Sequence, residues 1–127
     1  MLHDAGYDVW MVNTRGNTWS KNHVSLISCK NCSEFWDFQW EKTAVKDYPA
    51  EIDYILDYTG YDDLFIVGYS MGTTQYFAML SDLPEYNKKI KAGFMMAPIS
   101  YGAVEKNIEA YNRWNEREET INQRSIN

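Results

Sequence analysis

The chain has 127 residues, a formal charge of −6 and a pI near 4.8, with 45% hydrophobic, 16% aromatic and 24% charged residues. That length suits one domain or part of one and is too short for two, and the aromatic content argues against disorder. The negative charge repels phosphate backbones, and the densest basic cluster is Lys88, Lys89 and Lys91; no apolar run approaches the roughly 18 residues of a membrane span, so neither nucleic-acid binding nor a transmembrane segment is expected.

The first residues, Met1 to Gly6, lack the basic start and apolar stretch of a signal peptide. Tyr7 to Asn13 then reads as a strand entered from a turn at Gly6. Its nearly continuous apolar stretch at positions 9–12 predicts burial on both faces, as in a parallel sheet. From Thr14 to about Phe38 the chain is rich in Asn, Ser, Gly and Lys and has no period. It reads as a long loop, with Trp19, Phe35, Trp36, Phe38 and Trp40 available to pin it.

Within that loop Cys29 and Cys32 form a C-x-x-C. A redox pair wants a helix N-terminus directly after a strand, and a zinc site wants a second pair of ligands. The only histidines are His3 and His23, and only His23 is close in sequence. Incidental loop cysteines are therefore the preferred reading, their spacing does not decide whether they are bonded, and no metal or cofactor is expected. Asn31-Cys32-Ser33 fits a glycosylation acceptor, a signal that matters only in a secreted chain.

Periodicity resumes with Val45, Tyr48, Ile52, Ile55 and Leu56, a helical stripe that Asp47 can cap, Pro49 can open and Gly60 can end. Glu51, Asp53 and Asp57 read as its solvated acidic residues. Leu64 to Val67 is a short apolar strand, introduced by Asp62 and Asp63 and closed by Gly68. Thr73 to Leu80 reads as a helix with Tyr76, Phe77 and Leu80 available to pack. After a turn at Asp82 and Pro84 and a charged stretch from Glu85 to Lys91, Ala92 to Ala97 reads as a strand stopped by Pro98. This alternation predicts an α/β fold with a parallel sheet, flanking helices and right-handed crossovers. From Tyr101 onward the sequence is charged, with a helical stripe of Val104, Ile108, Tyr111 and Trp114.

Gly68-Tyr69-Ser70-Met71-Gly72 has the G-x-S-x-G form, between an expected strand and an expected helix, the context that gives this motif its meaning. A reversal this tight holds the serine in a strained backbone region and leaves its Oγ exposed at the carboxyl end of the sheet. Gly68 and Gly72 supply no Cβ where helix and strand approach. The Met71 N–H has no intrahelical acceptor and can face a developing oxyanion. The alternative is a glycine-rich turn with Ser70 as an ordinary N-cap. A working nucleophile also needs an imidazole base held by a carboxylate, in the chain order Ser, Asp or Glu, His. No histidine follows Ser70; His3 and His23 both precede it, and His23 reads as a solvated loop residue. No His-Gly or Gly-Gly segment for a second oxyanion donor precedes Tyr7.

These residues resemble the acid lipase family, which includes the gastric and lysosomal acid lipases. Besides the elbow, the resemblance rests on Asp4-Ala5-Gly6-Tyr7-Asp8-Val9-Trp10, Asn13-Thr14-Arg15-Gly16-Asn17-Thr18-Trp19-Ser20, Glu34-Phe35-Trp36-Asp37-Phe38, Asp47-Tyr48-Pro49-Ala50 and Ala97-Pro98-Ile99, in that order over about residues 2–101. It implies an α/β-hydrolase core with a cap, a secreted or lysosomal location, and hydrolysis of triacylglycerols or steryl esters with no cofactor. It also implies Ser70 as nucleophile and Met71 as one oxyanion donor. The expected architecture is the central part of that core over residues 1–100, with residues 101–127 a helical segment that begins the cap or forms a divergent tail. The core is expected to be truncated at both ends, with the catalytic Asp and His beyond Asn127. Arg15 is expected to brace the loop by ion pairing or hydrogen bonds, with Trp19 packed beneath it. The rival is a catalytically inactive lipase-like protein acting as a binding or dimerisation module, self-associating through an exposed sheet edge.

Overall fold

The structure, a computed structural model, describes residues 1–99; the expected helix after Tyr101, with Val104, Ile108, Tyr111 and Trp114, lies outside the described residues. The stripe of residues 45–56 forms a helix, but helical backbone begins earlier than the periodicity indicates. It opens as α1 (Trp40–Lys42), widens into a π turn at Thr43–Asp47 and continues as α2 (Tyr48–Thr59). Pro49 occupies the first turn of α2, where its missing N–H costs nothing, and Gly60 ends the helix at φ 73° with its N–H donating to the Leu56 carbonyl at 2.8 Å. Asp47 does not cap α2. The helical chain already runs through it, at φ −74° and ψ −50°, so its carboxylate is free to bind elsewhere.

β1 (Leu64–Tyr69), α3 (Met71–Asp82), a 3-10 turn at Pro84–Lys88 and β2 (Ile90–Met96) follow. The two strands pair in parallel, with Val67 opposite Phe94 and Tyr69 opposite Met96, and α3 is their crossover. Alternation along β1 sends Leu64 and Ile66 toward the helices, where they meet a core of Ile52, Met79 and Tyr86 together with Tyr48, Leu56, Tyr76, Leu80, Leu83 and Ile90. Phe65, Val67, Tyr69, Phe94 and Met96 are each more than half exposed. Tyr86 ties this core to the surface: its hydroxyl donates to Asp53 Oδ2 at 2.8 Å, and Lys89 Nζ donates to Asp53 Oδ1 at 2.6 Å.

The expected first strand does not form. Residues 7–13 pair with no strand among the described residues, and Tyr7, Val9, Met11 and Val12 are exposed. The apolar run supplies suitable side chains, but a strand exists only as one rail of a hydrogen-bonded ladder, and no described segment offers this one its backbone. Trp10 instead meets Tyr54 and Tyr58 of α2 edge-on, with ring centroids 6.2 and 5.4 Å away. The following loop is pinned by aromatics, though not by all of those expected. Phe35 is buried, Trp36 packs edge-on to it at 4.8 Å, and the Trp36 Nε1–H donates to the Cys29 carbonyl at 2.7 Å. Trp19, expected beneath Arg15, is 79% exposed. Cys29 and Cys32 are joined in a disulfide, which settles what their spacing left open.

Candidate active site at the strand-to-helix turn

β1 ends at Tyr69 and α3 begins at Met71, so a single residue, Ser70, makes the reversal. It does so at φ 50° and ψ −118°, a positive-φ conformation that costs a non-glycine residue about 1–3 kcal/mol. The surroundings enforce it. The Ser70 N–H donates to the Met96 carbonyl at 3.0 Å, continuing the parallel ladder, while the Ser70 carbonyl accepts from the Thr73 N–H at 2.9 Å and the Thr73 hydroxyl at 2.6 Å. Close packing of strand and helix leaves little room for a side chain beside it. A Cβ on Gly68 would lie 3.0 Å from Met95 Sδ and 3.4 Å from the Thr73 nitrogen, and one on Gly72 would lie 3.2 Å from Tyr48 Oη.

Thr73 is fully buried and makes a second connection. Its Oγ1 accepts the Ile99 N–H at 2.9 Å, and the Thr74 hydroxyl donates to the Ile99 carbonyl at 2.8 Å. The first turn of α3 thus fastens Ala97-Pro98-Ile99 beside the elbow, with Ala97 also at positive φ, 49°. From the other side the Tyr48 hydroxyl donates to the Gly72 carbonyl at 3.1 Å, and buried Gln75 donates through Nε2 to Thr43 Oγ1. Sequence reasoning missed Thr73, Tyr48 and Gln75 as supports. Only the run Gly72-Thr73-Thr74 beside the motif offered a signal, because a buried hydroxyl can bond two backbone segments at once.

Ser70 is half-buried, and its Oγ hydrogen-bonds to nothing among the described residues. It does not cap α3, which removes the ordinary N-cap reading. The Met71 N–H opens α3, on the side where the aligned peptide dipoles favour negative charge. Neither histidine is bonded to the serine. His3 lies exposed in a short 3-10 turn, His3–Ala5, and His23 Nδ1 accepts the Ser25 and Leu26 N–H groups at 3.1 and 3.0 Å, as a loop residue would. Among the described residues no group of three or more His, Cys, Asp and Glu could hold a metal ion, and no helix is long and apolar enough to cross a membrane.

The expectation about Glu51 needs correction. It is half-buried rather than solvated, and burial, with a smaller push from Asp47, raises its carboxyl to about 7. It stands four residues before Ile55, one turn from the buried stripe, and that spacing was its signal. Burial also raises the Tyr48 hydroxyl, helped by Glu51. Burial, followed by the hydrogen bond to Asp53, takes Tyr86 up to about 12. Burial alone would raise Asp53 as well, but the hydrogen bonds from Lys89 and Tyr86 outweigh it and hold this carboxyl below its ordinary value.

Residues 2–120 match the alpha/beta hydrolase fold family. Over 99 residues the chain is 46% identical to the lysosomal acid lipase/cholesteryl ester hydrolase of Macaca fascicularis, which covers 78% of this chain and 24% of that protein. It is 45% identical over 100 residues to the human protein of the same name, covering 79% of this chain and 25% of the relative. It is 48% identical over 100 residues to lipase member M of Mus musculus, covering 79% and 23%. The chain thus spans about a quarter of the length of the curated relatives it matches. With its parallel strands, crossover helix and G-x-S-x-G reversal, the chain belongs to the alpha/beta hydrolase fold family and is similar within it to the acid lipases.

Proposed function

We propose that this chain carries the nucleophile elbow of an acid-lipase-type ester hydrolase acting on triacylglycerols or steryl esters. Ser70 Oγ attacks the ester carbonyl carbon as a base takes its proton. The Met71 N–H, with a second donor, stabilises the tetrahedral anion. Collapse expels the alcohol, which takes up the proton, and water then hydrolyses the acyl-serine. The observation that carries this reading is the Ser70 backbone: a serine at φ 50° between strand and helix, with an unbonded Oγ, has a costly conformation that serves no capping role. The relatives' printed names, lipase and cholesteryl ester hydrolase, support a lipid ester as substrate, and the names with the Cys29–Cys32 bridge favour a secreted or lysosomal location, since such bonds persist in oxidising compartments.

No histidine among the described residues is placed to activate Ser70, so the 127-residue chain alone has negligible turnover. Chemical rescue tests the proposal. With imidazole added as an external base, a short-chain p-nitrophenyl ester should acylate Ser70, detected by peptide mass mapping, and Ser70→Ala should abolish the adduct. Acylation of another residue in place of Ser70 would overturn the assignment. Robust ester hydrolysis without imidazole, lost in Ser70→Ala, would overturn the stated need for a base from outside these residues.

The exposed faces of Phe65, Val67, Tyr69, Phe94 and Met96 favour a second reading, in which the lipase-like surface binds a partner or another copy. A monomer at all concentrations in sedimentation velocity, unfolding cooperatively, would remove it.

A further inference from the structure

The loop that carries the disulfide holds a chemical feature that the strand-to-helix turn does not use. Asn31-Cys32-Ser33 is the chain's single Asn-x-Ser/Thr triplet, and neither Cys32 nor Glu34 is a proline that would block it. Asn31 and Ser33 are both exposed, and among the described residues no hydrogen bond holds the Asn31 carboxamide. The loop itself creates this exposure, without an uncovered strand or helix face. The Cys29–Cys32 bond closes a small ring in which Lys30 and Asn31 both stand in solvent. Behind the ring Phe35 is buried, and the Trp36 Nε1–H donates to the Cys29 carbonyl at 2.7 Å. The Phe35 and Trp36 N–H groups donate to the carbonyls of Cys32 and Ser33, each at 3.1 Å.

The middle residue of the triplet is a partner in that ring. Transfer of a glycan needs the asparagine carboxamide and the hydroxyl two residues on presented together on extended backbone. The closed bond forbids that extension. It holds the Cys29 and Cys32 Cα atoms 5.1 Å apart, where an extended chain of this length spans about 10 Å. The Cys32 N–H is also committed to the Cys29 carbonyl, at 3.2 Å.

We propose that Asn31 is an N-glycan acceptor that can be used only before the Cys29–Cys32 bond closes, so that glycan transfer and bond formation compete on the nascent chain. The site rests on the secreted or lysosomal location proposed above, since both reactions belong to the oxidising secretory route. In the first, Asn31 Nδ2 attacks the anomeric carbon of a lipid-diphosphate oligosaccharide. A nitrogen–carbon bond forms, the bond from that carbon to the diphosphate oxygen breaks, and the amide gives up a proton. In the second, the Cys29 and Cys32 thiols pass their electrons and protons to a donor disulfide, which leaves as a dithiol. A glycan added first does not prevent the bond, because Asn31 of the closed turn faces solvent. A bond formed first leaves Asn31 bare.

The test expresses the full chain behind a cleavable secretory leader in mammalian cells. Occupancy is read from glycosidase-sensitive gel mobility and from peptide mapping after release in heavy-oxygen water, which converts a glycosylated Asn31 to labelled aspartate. The leader supplies entry to the secretory route, so the result bears on Asn31 and is independent of where the natural chain resides. Cells and medium are both sampled, so a variant retained for poor folding still reports. The parent should be a mixture of glycosylated and bare molecules, the bare ones with Cys29 and Cys32 bonded. Ser33→Ala should lose the glycan. Cys29→Ser, which leaves the triplet intact, should raise occupancy about twofold or more, and a membrane-permeant dithiol present during synthesis should raise it in the parent but not in Cys29→Ser. A parent chain without glycan, or equal occupancy in the parent and Cys29→Ser, would overturn the proposal.

Discussion

Arg15 and Asp47, 32 residues apart, hold the long loop against the start of α2 through three contacts. The Arg15 Nε–H donates to Asp47 Oδ1 at 2.7 Å, its backbone N–H donates to Oδ2 at 2.8 Å, and a terminal nitrogen stands 2.5 Å from Oδ1. The Asp47 side chain is only 10% exposed, so this pair is screened far less than a surface ion pair. The guanidinium also lies 5.8 Å from the Phe38 ring centroid, on the far side of the same loop.

Removing one partner leaves the other charge partly buried and unpaired. Asp47→Ala should therefore destabilise the chain by about 2–3 kcal/mol in urea unfolding, and Arg15→Lys, which keeps the charge but loses the planar fork, by about 1 kcal/mol. Equal stability for Arg15→Lys and the parent chain would show that charge alone, without the fork geometry, does the bracing.

Backbone strain at Ser70 makes a prediction of opposite sign. Glycine tolerates φ 50° where serine does not, so Ser70→Gly should raise stability by about 1 kcal/mol despite its greater unfolded-state freedom. Ser70→Ala removes an unbonded hydroxyl and should change stability little. A destabilised Ser70→Gly in chemical denaturation would mean that Oγ makes a contact in solution, against the role proposed for it.

Thr73 joins the elbow to the chain beyond β2 through one buried oxygen that donates to the Ser70 carbonyl and accepts the Ile99 N–H. Thr73→Val keeps the shape and leaves both groups without this partner, which should cost about 2–3 kcal/mol. Amide exchange at Ile99 should accelerate in the variant. Exchange there at the parent rate would separate the Ala97–Ile99 segment from the elbow.

Glu51 gives the chain a pH dependence whose sign follows from its raised pKa. Between its ordinary 4.5 and about 7, the folded chain holds a proton that the unfolded chain has released. Its contribution is fully present below 4.5, declines as pH rises through that window and is lost above 7. The shift, discounted because the group is only half-buried, corresponds to about 1–2 kcal/mol. Asp53 has a lowered pKa and the opposite sign, so its contribution is lost only as pH falls below its ordinary carboxylate range. The urea midpoint should thus be higher at pH 5 than at pH 8, and Glu51→Gln should flatten the difference. Parallel pH profiles for variant and parent would refute this account of Glu51.

The elements legible in the sequence were those whose signals are local. The apolar run at Leu64 to Val67, the stripe from Val45 to Leu56, the glycine at position 60 and the two glycines around Ser70 each act within a few residues, and each corresponds to an element where it was expected. The resemblance was legible for the same reason, because it rests on contiguous runs such as Asn13 to Ser20.

Tertiary structure decided whatever depends on a partner distant in sequence. Tyr7 to Asn13 has the side chains of a strand and is not one, because a ladder needs a second backbone that no described segment provides. Asp47 has the identity of a cap and serves Arg15 instead, because helical backbone upstream had already occupied its place. Glu51 looked like a solvated charge until the fold brought Trp10 and Val12 over its face of α2. For Ser70 the sequence determined the position and the glycines that allow the turn. Its positive φ and free Oγ came from packing: the Met96 ladder bond and the buried Thr73 hydroxyl hold its backbone groups, and the side chain is left with none of their partners.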